Sequence, residues 1–233
     1  MNLKNLFDTA TSKFKKALNE RDFKYCYKDM IDSCNEHIIP EFTKLLLNHG
    51  INPLNYMDYV PDDFLRGTDT VSFTIPDCIK SIGSHAFSDC TRLKNIEIPS
   101  SVEQIGIYAF SGCTSLKSIN LAYNSQLTRI WPNTFEDCRS LKNIEIPNSV
   151  TTIDNHAFDG CTDLTNITIP NSVTAIEFDA FKGCSSLESI IIPNGVDYID
   201  NGTFQDCTSL KSITIPDSVK AICYSAFAYC SSL

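Results

Sequence analysis

Eleven cysteines in 233 residues are the first feature of this chain that suggests chemistry, because thiolates attack electrophiles, ligate soft metals and pair as disulfides. Seven of them, Cys90, Cys113, Cys138, Cys161, Cys184, Cys207 and Cys230, stand 23, 25, 23, 23, 23 and 23 residues apart. Such spacing is a structural period, and an odd number leaves one thiol over in any disulfide scheme. In a stack of extended coils equivalent atoms recur about every 4.8 Å, too regular a column for closed tetrahedral zinc sites with Zn–S bonds of about 2.3 Å. These thiols are expected to be reduced and buried, acting as small apolar groups with a weak S–H donor. Cys78 and Cys223 fall at one-off positions, while Cys26 and Cys34 precede the repeat. A catalytic thiol in that leading segment would need an organised histidine, and the segment holds only His37 and His49.

His85 and His156 occupy one repeat position, two residues before a Phe. Three coil steps separate them by roughly 14 Å, too far to share a metal ion. No P-loop, G-x-S-x-G, H-E-x-x-H or dinucleotide fingerprint is present. The sequence therefore predicts no catalytic residues, no cofactor and no metal.

The period that spaces the cysteines also builds the fold. Phe stands three residues before each Cys (Phe87, Phe110, Phe135, Phe158, Phe181, Phe204, Phe227) and Leu three residues after it (Leu93 through Leu233). Two alternating apolar residues follow, such as Ile96/Ile98 and Ile167/Ile169, then usually Pro, then a V-x-x-I pair such as Val150/Ile153. The L-x-x-I-x-I core reads as a short strand with alternate side chains inward. Proline ends it, since it has no N–H for a ladder and fixes φ. V-x-x-I-x-x-x-A-F supplies a second inward-facing segment, with Phe filling the space between the walls. One coil cannot bury its own apolar face, so stability comes from stacking. Aligning Phe64 with the Phe position and Gly67 with the Cys position makes residues 60–82 a degenerate first coil, with Thr70 in place of the core Leu. At the other end the sequence stops at Leu233, so an unfinished last coil is expected, and the readings are a longer natural chain, self-association through that edge, or a frayed end.

The unit F-x-x-C-x-x-L-x-x-I-x-I-P-x-x-V-x-x-I over residues 60–233 resembles the BspA-like, or Treponema pallidum-type, leucine-rich repeats. The resemblance implies a right-handed solenoid of 23-residue coils with a parallel β-sheet wall. It also implies a role in binding other macromolecules, as in surface adhesins and protein-binding proteins of host-associated microbes. Similar arrays occur in viruses of such hosts. It names no partner, because a fold carries no function by itself.

Charge narrows the partner class. The net charge is −9, and residues 71–233 carry ten basic against seventeen acidic residues. An acidic surface is a poor match for phosphate backbones, so the repeats are not expected to bind nucleic acid. No stretch approaches the roughly 20 apolar residues of a membrane span, and charges break the first residues too often for a signal-peptide core. As written, the chain reads as cytoplasmic, a cell-surface or virion location remaining open. Residues 1–59 lack the repeat and read as a helical cap segment. Leu3, Leu6, Phe7, Ala10, Phe14, Ala17 and Leu18 share one helical face, Phe23 to Cys34 suit a second helix, and Pro40 starts a third that Gly50 ends. A basic membrane-surface helix and a separate partner-binding module are the competing readings.

Departures from the repeat locate the candidate site. The coil between Cys113 and Cys138 has two extra residues, lacks the strand-terminal Pro and holds the chain's single Trp. It is either a tolerated loop insertion or a bulge presenting Tyr123, Asn124, Trp131 and Pro132 to a partner. Trp131 takes a position filled elsewhere by Gly83, Gly106, Asp154, Glu177 and Asp200, which reads as solvent-facing. The strand wall offers a flat polar face on which Glu97, Glu145 and Ile191 stand out. The function expected is non-enzymatic protein binding through the solenoid surface. Alternatives are a structural or assembly component, or an adhesin.

Overall fold

The computed structural model describes residues 39–48 and 52–233 of the chain. The helices expected over 3–18 and 23–34, with Cys26, Cys34, His37, His49 and Gly50, lie outside the described residues.

Two kinds of strand alternate along the array. Two-residue strands β1 (Tyr59–Val60), β2 (Ser81–Ile82), β4 (Gln104–Ile105), β6 (Arg129–Ile130), β8 (Thr152–Ile153), β10 (Ala175–Ile176), β12 (Tyr198–Ile199) and β14 (Ala221–Ile222) line one side. The longer strands β3 (Asn95–Ile98), β5 (Ser118–Leu121), β7 (Asn143–Glu145), β9 (Asn166–Thr168), β11 (Ser189–Ile191) and β13 (Ser212–Thr214) line another. Every pairing is parallel and joins each strand to its equivalent one coil away, as in Asn95↔Ser118 and Ser118↔Asn143. The long strands alternate as the sequence pattern demands: in β3 Ile96 and Ile98 are buried while Asn95 and Glu97 are exposed. Each Pro after a strand opens a tight turn, as where Val150 N–H donates to the Pro147 carbonyl. The fold is thus a parallel-strand solenoid with a 23-residue step.

A third side, built of turns, carries the Phe and Cys columns. There alternate N–H groups donate to the next coil: His85 to Ile107, Phe87 to Ala109 and Asp89 to Ser111. This works because two residues per coil adopt left-handed backbone, for example His85 (φ 54°) and Asp89 (φ 58°), or His156 (φ 54°) and Gly160 (φ 72°). Asn, Asp, His and Gly tolerate that region best, which accounts for the histidines without metal chemistry. Gly160 meets a second demand, since a Cβ there would sit 2.6 Å from Asp137 Oδ1 in the preceding coil.

Inside, the Phe rings from Phe87 to Phe227 form a continuous stack with centroids 5.2–5.8 Å apart. Burying each contributes roughly 1.5–3 kcal/mol. Each ladder thiol donates across one coil: Cys113 Sγ to the Phe87 carbonyl at 3.1 Å, Cys161 to Phe135 at 3.1 Å, Cys184 to Phe158 at 3.2 Å. The thiol is small enough for the column and supplies a second donor to a carbonyl already bonded within its own coil.

The first coil departs from the alignment that the sequence suggests. Leu65, not Phe64, occupies the Phe position, because its N–H donates to the Ala86 carbonyl and its own carbonyl accepts Cys90 Sγ at 3.0 Å. Gly67 (φ 67°) then matches Asp89, and Thr68 takes the Cys place. The reason is a 22-residue step on the short-strand side, Val60↔Ile82, beside a 23-residue step at the Ser72↔Asn95 bridge. Phe73 fills the resulting gap, its ring lying 5.5 Å from Phe64 and 5.7 Å from Phe87. Helix α1 (Ile39–Asn48) lies at this end with Ile39, Phe42 and Leu46 buried, Leu47 packed on the core and Lys44 paired with Asp69.

Candidate protein-binding surface

The irregular coil keeps its interior. Leu121, Leu127, Ile130, Phe135 and Cys138 are all buried like their counterparts. The turn after the strand survives without proline, since Ser125 N–H donates to the Ala122 carbonyl at 2.8 Å. The two added residues follow that turn, before Leu127. Ser125 is buried in that turn, while Tyr123 and Asn124 beside it point outward. Tyr123 is 76% exposed and its hydroxyl accepts from Asn148 Nδ2 at 3.1 Å, and Asn124 is exposed beside it.

Trp131 departs from the solvent-facing reading. It and Pro132 are half-buried, and the Trp column is not a solvent-facing one, since Gly106 is buried and Asp154 only 5% exposed. The physical reason is Arg129. Its guanidinium lies over the Trp131 ring at 5.2 Å and makes a two-point bond to Asp154 of the next coil, Nε to Oδ2 at 2.5 Å and Nη2 to Oδ1 at 2.9 Å. Asp154 therefore spends its buried carboxylate on Arg129, and Arg129 orders the indole. Sequence reasoning missed this pair, although Arg at position 129 and Asp at 154, two residues past its 23-residue equivalent Thr152, were the signal. Tyr123 and Trp131 lie at opposite ends of the short-strand side, so they form two outward features and not one cluster.

The strand wall carries the remaining candidates. Glu97, Glu145 and Ile191 are exposed, Ile191 at 69%. Glu145 stands in register with Thr168, and Glu97 with Asn120. The wall is not flat throughout: a hollow of about 410 Å³ opens beside Glu97, lined by Phe73, Asp77, Asn95 and Asn120.

The thiols are poor nucleophiles. Burial pushes the Cys90 thiol up to about 11 and also raises Cys113, Cys138, Cys161, Cys184 and Cys207 well above the usual thiol range. His156 Nδ1 lies 3.0 Å from Asp159 Oδ2, where burial raises the Asp159 carboxyl against the pull of His156. Among the described residues no group of three or more His, Cys, Asp or Glu is placed to hold a metal ion, and no helix is long and apolar enough to cross a membrane.

The chain matches the BspA-type leucine-rich repeat region in six copies over residues 58–161 and 128–233. It is similar to the leucine-rich repeat protein TpLRR of T. pallidum, with 30% identity and a TM-score of 0.69 over 75% of this chain and 82% of that one. A leucine-rich repeat protein from Bacteroides ovatus is 37% identical with a TM-score of 0.67. That match covers 70% of this chain and 44% of the other, so this chain spans less than half of that relative. The pneumococcal vaccine antigen PcpA, at 20% identity and a TM-score of 0.53 over 70% of this chain and 50% of that one, shares the fold alone. No curated protein matches the chain.

Proposed function

The chain belongs to the BspA-type leucine-rich repeat family, and on that premise we propose that it is a non-enzymatic module that binds another protein through the outer surface of its solenoid. The observation that carries this reading is the coil between Cys113 and Cys138. Its core positions are buried as in the regular coils, yet outside it adds an exposed Tyr123 and an indole held in place by the Arg129–Asp154 pair. A rigid aromatic loses little conformational freedom on contact, which is why such residues anchor interfaces. Trp131 and Pro132 form one contact and Tyr123 with Asn124 the other. The strand-wall residues Glu97, Glu145 and Ile191 form a broader, weaker face.

The test uses the intact chain as bait, followed by titration of the captured protein against variants. Trp131→Ala is expected to weaken binding by about 2 kcal/mol or more, while Glu145→Ala changes it little. The reverse ranking, with binding that falls steeply as salt rises, would assign the contact to the strand wall instead.

A further inference from the structure

Eight lysines lie among the described residues, and five of them are paired with a carboxylate. Lys44 pairs with Asp69, Lys80 with Glu103, Lys182 with Asp179, Lys211 with Glu188 and Lys220 with Asp197. The other three, Lys94, Lys117 and Lys142, are all exposed and stand in three successive coils at one position. They immediately precede the register-matched residues Asn95, Ser118 and Asn143. Their backbones are bonded in sequence, Lys117 N–H to the Lys94 carbonyl at 2.8 Å and Lys142 N–H to the Lys117 carbonyl at 3.5 Å. Three like charges therefore stand side by side at about 4.8 Å per coil, an arrangement that disfavours folding.

The same column shows that the fold does not require it. Two coils further on, this position holds Glu188, which pairs with Lys211 across one coil at 3.4 Å. Opposite charges are thus accommodated at this position wherever the sequence supplies them. The chain as a whole has an excess of acid, with net charge −9, yet among the described residues none of these three ammonium groups has a carboxylate within ion-pair distance. Arg92 and Arg139 flank the column and extend the basic edge, each bonded to a single exposed acid, Asp69 and Asp137.

We propose that Lys94, Lys117 and Lys142 form a docking stripe for a short Asp/Glu-rich segment of a partner protein, laid across the coils at the N-terminal edge of the strand wall. The inference rests on the protein-binding reading and gives the partner its chemistry. Three lysines span about 10 Å, the reach of three or four extended residues at about 3.3 Å each. Acids bound the stripe: Asp69 precedes it, Glu188 follows it, and Glu97 and Glu145 lie further along β3 and β7. A short acidic run fits between those limits, whereas a long phosphate or sulfate polymer would overrun them and meet the acid on either side.

The experiment titrates the full chain with a fluorescein-labelled tetra-glutamate peptide, and with tetra-glutamine as the neutral control, by fluorescence anisotropy. The expected result is binding of the glutamate peptide alone, weakened about tenfold or more by Lys117→Glu and by Lys94→Glu, and unchanged by Lys220→Gln. Melting curves of Lys117→Gln and Lys117→Glu report the fold, which exposed side chains should leave intact. No tetra-glutamate binding, or binding indifferent to the three lysines, overturns the stripe. Lysine-dependent binding of a heparin oligosaccharide without binding of tetra-glutamate overturns the protein partner in favour of a polyanion. None of these outcomes depends on Trp131, so the stripe and the irregular-coil contact fail separately.

Discussion

Two coils of this solenoid invite comparison: the regular one ending at Cys184 and the irregular one ending at Cys138. Their interiors are nearly interchangeable. Phe158 and Phe181 stack at 5.3 Å, Phe110 and Phe135 at 5.8 Å, and both terminal thiols reach the preceding Phe carbonyl at 3.2 Å. Their exteriors share little. The regular coil turns on Pro170 directly into Val173, whereas the irregular coil turns on Ala122, adds two residues before Leu127 and carries Tyr123, Arg129 and Trp131 outside. A coil is held by contacts to its neighbours through a few inward positions, so the outside can be rebuilt without disturbing them. Stability and recognition occupy different side chains of the same segment.

The largest effect should come from breaking the interior. Phe158→Ala opens a cavity in the ring stack and is expected to cost about 3–5 kcal/mol in urea unfolding. A cost near zero would mean that the stack does not hold the coils together.

Alkali should weaken the interior through its thiols. The folded Cys90 thiol is raised to about 11 from a usual 9.0, so an unfolded chain releases its thiol protons first. That stabilisation is fully present below pH 9.0 and is lost as pH rises through the folded value near 11. The buried ladder thiols from Cys90 to Cys207 should resist an aromatic disulfide reagent at neutral pH, while the half-buried Cys230 reacts, and all should react after denaturation. Disulfides between adjacent coils would contradict the ladder geometry.

Much of this contrast was legible in the chain itself. The Phe, Cys and Leu columns and the alternating Ile pairs identify the inward positions, because burial demands the same residue types in every coil. The left-handed positions were also written there, as the run His85, Tyr108, Asn133, His156, Asp179 and Gly202, though the run mixes five residue types and reads as variable until backbone angles explain it. Two features were not legible. The register of the first coil depends on a one-residue difference between two sides of that coil, which no single alignment expresses. The burial of Trp131 depends on Arg129 reaching Asp154 in another coil, a contact that side-chain type alone does not predict.

The smallest effect sharpens the comparison from outside. Lys117→Gln removes a like-charge contact in the strand-wall stripe and is expected to leave stability unchanged or raise it by roughly 0.2–1 kcal/mol, with the gain shrinking as salt rises. A clear loss of stability would give the lysine column a structural role.

The central claim, that one coil keeps its stability inside and its distinctive chemistry outside, is tested most directly by unfolding two variants of the irregular coil side by side in urea. Phe135→Ala should lose about 3–5 kcal/mol, as a ring removed from the stack. Trp131→Ala, which strips an indole from beneath Arg129 but opens no core cavity, should lose no more than about 1 kcal/mol and keep the same denaturant slope. A loss in Trp131→Ala that matches Phe135→Ala would make the indole part of the core and contradict the account.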